Sequence, residues 1–205
     1  MKMKLFLILG LVLPTLGAGC SRKQGSQATP KDAVKKFSEG FMELDKAKVM
    51  ASVTGDKLEL EALSVFMDYI ITVQDFKKAV INQYGASGWA HFENEGGAKL
   101  SLDLTDNRDK LDSAKIEVNN NKATCTIPGE AQVMNLSRNN GVWYVDAGSA
   151  LASGGTDIKK FIRMWSGMTD LIKKKQQSIG QSGVTAQSLD KELGNELLTI
   201  LMTNR

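Results

Sequence analysis

The chain has 205 residues, 26 of them basic and 23 acidic, with a formal net charge of +3, one histidine and two cysteines. Such a length suffices for one domain with a sizeable core. The near balance of charge excludes a general nucleic-acid binder, which needs a basic surface to displace counterions, and a lone histidine without neighbouring thiols excludes the usual zinc sites.

The amino terminus differs in kind from the rest. Lys2 and Lys4 precede an apolar run from Leu5 to Leu16, and Gly17, Ala18 and Gly19 follow. A positive start, an apolar segment of about 7–15 residues and a small-residue exit form an export signal. The run falls short of the roughly 20 apolar residues a spanning helix needs, and Pro14 breaks it. Residues 1–19 are therefore expected to be a signal peptide and not a retained anchor.

Leu16-Gly17-Ala18-Gly19-Cys20 resembles the lipobox of bacterial lipoproteins, with the leucine one place further from the cysteine than that pattern usually has it. The resemblance implies that Cys20 is acylated, palmitate included, and becomes the mature first residue, so that membrane lipid is a partner. Ser21, rather than an aspartate, at the next position resembles lipoproteins sorted to the outer membrane, on the periplasmic side of the cell envelope. Ordinary cleavage that leaves a bare cysteine is the alternative. Loss of residues 1–19 removes Lys2 and Lys4 and leaves 24 basic against 23 acidic residues, a net of +1. Residues 20–29 are small and polar, without a large apolar side chain, and read as a flexible tether.

Thr29-Pro30-Lys31-Asp32 opens a helix: a hydroxyl to cap it, a proline where its missing N–H costs nothing, and an acid at the positive end of the dipole. Val34, Phe37, Phe41 and Leu44 continue at helical spacing. A short helix is expected from Asp45 to Val53. From Lys57 to Tyr84 neither glycine nor proline occurs. One stripe there reads Leu63, Phe66, Ile70, Val73, Val80, Tyr84 and another Leu60, Met67, Ile71, so this long helix should be covered on two sides. Gly85-Ala86-Ser87-Gly88 breaks it, and Trp89 to Glu95 are expected to add a short helix.

Periodicity then changes to two. Ala114, Ile116 and Val118 alternate with Lys115 and Glu117; after Asn119-Asn120-Asn121, Ala123, Cys125 and Ile127 alternate with polar residues. This reads as a β-hairpin, with a third strand over 131–137 and a fourth over 142–146, the last two joined by Asn139-Asn140-Gly141. The expected result is a four-stranded antiparallel meander with one apolar face, covered by the long helix. Thr156 is expected to cap a helix with the stripe Ile158, Phe161, Ile162, Trp165, Met168 and Ile172. Thr185 opens the last helix, with Val184 and Leu189 as a hydrophobic staple. These two helices, within residues 156–203, form a C-terminal helical hairpin that packs on the domain or extends from it.

Helices followed by a curved antiparallel sheet, opening on Thr29-Pro30-Lys31-Asp32-Ala33-Val34 and closing on Asn140-Gly141-Val142-Trp143-Tyr144-Val145-Asp146, resemble the cystatin-like or nuclear-transport-factor-like superfamily. Over residues 30–146 the resemblance implies an α+β cone, and that superfamily hosts both enzymes and binding modules.

Few residues carry chemistry. Cys125 shares parity with apolar neighbours and reads as a small buried hydrophobe. His91 is the one group whose ordinary acidity suits proton transfer near neutrality; Asp68 and Tyr69 are the candidates to assist it. Asp103, Asp106, Asp109 and Asp112 lack the spacing of a calcium loop and read as a solvated stretch. Lys173-Lys174-Lys175 reads as the wet side of its helix, with attraction to anionic lipid headgroups as the alternative. No phosphate loop, dinucleotide fingerprint, nucleophile elbow or zincin motif occurs. The expectation is a lipid-anchored envelope protein, non-catalytic, without metal or cofactor, whose cone binds a small apolar ligand or a protein partner. The alternative is an enzyme that uses the same cone as a pocket, with His91 as acid and base.

Overall fold

A computed structural model describes residues 27–95, 98–100, 108–129, 133–151 and 157–203. The expected signal peptide, Cys20, most of the tether, Asp103, Asp106, Ala131 and Thr156 lie outside the described residues.

Helix α1 (Pro30–Met42) begins as expected: Thr29 Oγ1 accepts from the Asp32 N–H at 3.2 Å, and the Asp32 carboxylate accepts from the Thr29 N–H at 2.9 Å. The expected tether ends sooner than residue 29. Gln27 is buried; its side-chain amide donates to the Trp143 carbonyl at 2.7 Å, and its own carbonyl accepts from the Trp143 N–H at 3.0 Å. It serves a strand edge that would otherwise leave buried backbone groups unpaired, which is costly.

After helix α2 (Lys46–Met50) comes a strand absent from the expectation, β1 (Val53–Thr54). Two residues are too few to show a period of two. Helix α3 (Lys57–Ala90) starts on a second capping box, Asp56 with Glu59. Gly85, at φ 75° and ψ 178°, interrupts it and turns the chain back along its own side. Trp89 and Phe92 stack with ring centroids 5.4 Å apart, and Phe92 meets Phe76 edge-on at 5.3 Å. Instead of a separate α-helix over Trp89–Glu95, helical turns resume directly after Gly85 and widen into a π-helical turn over His91–Glu95.

A short helix α4 (Arg108–Leu111) leads into strands β2 (Lys115–Asn119), β3 (Lys122–Thr126), β4 (Val133–Asn139) and β5 (Val142–Asp146). Asn140 and Gly141, both at positive φ, make the tight turn between β4 and β5. The sheet has five strands in the order β1-β5-β4-β3-β2, and β1 runs parallel to β5. The four-stranded, wholly antiparallel expectation is corrected to this extent; β2 to β5 form the expected meander. Helices α5 (Ala147–Ala150), α6 (Ile158–Gln176) and α7 (Ala186–Thr203) complete the order; the cap of α6, expected at Thr156, is Asp157, whose carboxylate accepts from the Lys159 N–H at 2.9 Å.

Two apolar clusters share α3. The first joins the sheet to Ala33, Val34 and Phe37 of α1 and to Leu63 and Met67 at the start of α3. The second holds Ile70, Val73, Phe76 and Val80 further along α3 against Met168 and Ile172 of α6 and Leu189 and Leu193 of α7. Thus α1, and not the long helix alone, covers the sheet. The reason is length: α3 runs on beyond the sheet, and α6 and α7 pack on what remains.

The C-terminal hairpin consequently packs on the domain. Tyr84 Oη donates to the Val184 carbonyl at 3.1 Å and fixes the loop between its helices. Lys175, expected on the wet side of α6, is 8% exposed, and its ammonium meets Glu192 at 2.8 Å and Glu196 at 2.7 Å. It lies on the same face as Leu171 and Ile172, so its stem is covered while its head reaches two carboxylates. Burial opposes its charge, but the two carboxylates outweigh burial and raise its pKa.

Gly40 marks the closest approach of α1 to α2: a Cβ there would lie 2.9 Å from both Cγ2 and the backbone N of Val49. Alanine inside a helix ordinarily gains about 1 kcal/mol over glycine, but overpacking against backbone costs about 1–3 kcal/mol. We therefore expect Gly40→Ala to lower the thermal midpoint by about 2–4 °C, measured by circular dichroism. A raised midpoint would mean that α1 and α2 part without cost.

Candidate functional site

The two faces of the sheet differ in kind. Ala123, Cys125, Ile127, Leu136, Trp143 and Val145 point toward the helices, and none is more than 6% exposed. With Phe37, Leu63 and Met67 they form one continuous cluster, so among the described residues this side is filled beneath β3 to β5 by the chain's own side chains; on the outer strand β2, Val118, opposite Ala123 on the same side, is 57% exposed. Burial pushes the Cys125 thiol up, which makes it a poor nucleophile and fits the reading of a small hydrophobe.

The opposite face is polar and concave. Glu117 lies opposite Thr124, Asn119 opposite Lys122, Thr124 opposite Asn135 and Lys122 opposite Ser137, so the six share one face. Together with Asp146 they line an open cavity of about 680 Å³. One wall is fixed by α5, where Ser149 Oγ accepts from the Asn135 N–H at 2.9 Å and donates to the Asp146 carbonyl at 2.9 Å. This contact serves the backbone N–H of β4 just beyond the end of its pairing with β5. On the outer strand Lys115 meets Glu117 at 2.6 Å. The ion pair raises the lysine pKa and holds the glutamate below the usual carboxylate range.

The chemistry on offer is hydrogen bonding from hydroxyls and amides, with charges of both signs. Val118, Ala123 and Leu136 line the cavity as well, but the polar and charged groups outnumber them, and such a surface suits a polar ligand or an extended peptide. Among the described residues no group of three or more His, Cys, Asp or Glu is placed to hold a metal.

The residues singled out as acid-base candidates do not converge. Asp68 lies on α3 with its carboxylate accepting from Lys46 Nζ at 2.8 and 2.7 Å. Tyr69 is buried, with its ring 4.4 Å from that of Trp165, and burial pushes its phenol up to about 12. His91 stands in the folded-back segment at the level of Phe76, about two helical turns or roughly 10 Å further along α3 than Tyr69. None of the three lines the sheet cavity. Asp112 ends the acidic stretch in an exposed pair with Lys31 at 2.9 Å, and Met168 is buried while Met164 and Trp165 pack beside it.

No protein-family model, curated protein or solved structure matches the chain. The site therefore rests on its geometry alone. The sequence marked the polar positions of the sheet through their alternation, but alternation holds for any solvated antiparallel face. The cavity over them depends on how the strands assemble, which a period of two does not encode.

Proton transfer by Tyr69 near neutrality is disfavoured by the same burial that shifts it. The sign is clear: a phenol raised from 10.0 to about 12 in the folded state stabilises the fold below pH 10, and that contribution is lost as pH rises from 10 toward 12. In an ultraviolet titration we expect one late phenolate step near pH 12 that is absent from Tyr69→Phe. A Tyr69→Phe curve identical to that of the parent would contradict the burial.

Proposed function

We propose that the chain is a lipid-anchored envelope protein whose domain binds a polar small molecule or an extended protein segment at the open face of its sheet, without catalysing a reaction. One observation carries the reading: among the described residues the helix side is filled beneath β3 to β5, whereas a cavity opens on the polar side among Glu117, Asn119, Lys122, Thr124, Asn135 and Ser137. Asp68 is held by Lys46, Tyr69 is buried against Trp165 and none of the three candidates lines the cavity, which favours binding over acid-base chemistry, since that needs its groups within hydrogen-bond reach of one substrate. An apolar ligand, expected from a hollow cone, is displaced in this reading by a polar one.

The cystatin-like cone is the finer form of the fold we propose, on the strength of helices α1 to α3 preceding the antiparallel strands β2 to β5. The fold alone would not decide function. Attachment through acylated Cys20, on the periplasmic side of the outer membrane, rests on the lipobox-like segment. Among the described residues no helix is long and apolar enough to cross a membrane. An acyl anchor is the route that the sequence offers, and two or more chains hold a protein stably where one holds it marginally.

Two measurements test the proposal. Metabolic labelling with a palmitate analogue is expected to mark the parent chain and spare Cys20→Ala; equal labelling of both ends the anchor. In a 15N NMR screen with amide, sugar and short-peptide fragments beside apolar ones, shifts are expected to cluster at residues 117–124 and 135–137. A cluster at Cys125, Trp143 and Val145 induced only by apolar fragments would overturn the polar site.

A further inference from the structure

Helix α6 separates its charges. Lys159, Arg163, Lys173 and Lys174 are all exposed, on the face opposite the buried Met168, Leu171 and Ile172. At 100° per residue the four fall within roughly one third of the helix circumference, and from Lys159 to Lys174 they extend over about 22 Å. Asp170 is the one exposed acid among them. None of the four makes an ion pair among the described residues. Several cations elsewhere are met by carboxylates, Lys31 by Asp112, Lys46 by Asp68, Lys48 by Glu39 and Glu43, and Lys77 by Glu93, while other exposed lysines such as Lys35, Lys57, Lys99 and Lys191 are scattered over different elements and do not share one helix face. On α6 itself the inward-facing Lys175 takes up Glu192 and Glu196 of α7, which leaves those acids at the seam and not on the outer face. A chain that is nearly neutral as a whole thus carries a strip of unpaired positive charge.

We infer that this strip docks the domain flat against an anionic lipid bilayer. Cations at both ends of one helix face, with the single acid Asp170 between them, fit a planar surface of anionic headgroups, where each lysine or arginine near the surface adds to attraction. A nucleic acid is the poorer match, because the remaining surface is balanced or acidic and would not follow a polyanion's path. The inference rests on the acyl-anchor reading for its setting: Gln27 is held at β5, and six residues separate it from Cys20, so the bilayer lies within about 25 Å of that point even with the connection fully extended. Confinement at that range makes a weak electrostatic contact effective.

The test uses the full mature chain carrying Cys20→Ala, so that docking is read without acyl chains. It is sedimented with vesicles of phosphatidylcholine alone and of phosphatidylcholine with phosphatidylglycerol, at low and raised salt. Binding is expected only to the anionic vesicles, falling about tenfold or more once salt shortens the screening length. Replacing Lys159, Arg163, Lys173 and Lys174 with glutamate is expected to abolish it, while the same charge change at Lys35, Lys57, Lys99 and Lys191, also exposed, leaves most of it. If the glutamate set fails to fold, a glutamine set at the same four positions reads the same loss. Equal loss in both sets would reduce the effect to net charge, and equal binding to neutral vesicles, or no binding, would overturn the inference. Palmitate labelling reports separately: docking without label keeps the strip and removes the anchor, and label without docking does the reverse.

Discussion

The structure depends on α3 being apolar on two sides. Leu63 and Met67 near its start belong to the cluster beneath the sheet, and Ile70, Val73, Phe76 and Val80 belong to the cluster formed with α6 and α7. A helix with a single apolar stripe would support only one of these. Because both clusters draw on the same rigid rod, the sheet, the covering helix α1 and the C-terminal hairpin become parts of one body, and among the described residues the space beneath β3 to β5 is taken up by the chain's own side chains.

That arrangement also decides where function is placed. Burial consumes the helix side of the sheet, so recognition moves to surfaces the core does not need: the concave polar face of β2 to β4 and the outer side of α6. The first offers hydroxyls and amides at cross-strand spacing, suited to directional hydrogen bonds. The second offers positive charge without direction, suited to a surface and not to a single molecule. Neither uses His91, Asp68 or Tyr69, whose neighbours are structural: an ion pair for Asp68, an aromatic ring for Tyr69 and a folded-back π-helical turn for His91.

Much of the fold was legible in the residues because periodicity is local. The capping of α1 by Thr29, the span of β5 and the presence of a break after Tyr84, confined in the structure to Gly85, followed from spacing and turn chemistry. What escaped was non-local. Gln27 looks like any tether residue until β5 supplies its partners, β1 is too short to show a pattern, and Lys175 sits in a lysine run whose neighbours Lys173 and Lys174 are exposed as expected. The candidate site was legible only as a row of polar side chains; its concavity comes from the tertiary structure.

The central claim, that the helix side of the sheet is filled and not hollow, is tested most directly by the thiol of Cys125, which lies in the middle of that cluster and is 1% exposed. In the Cys20→Ala chain it is the sole cysteine. With a chromogenic disulfide reagent in native buffer the account predicts no reaction faster than global unfolding, and prompt stoichiometric reaction after denaturation. Prompt reaction of the folded protein would mean that solvent and reagent reach the space beneath the sheet, and the filled core would be contradicted.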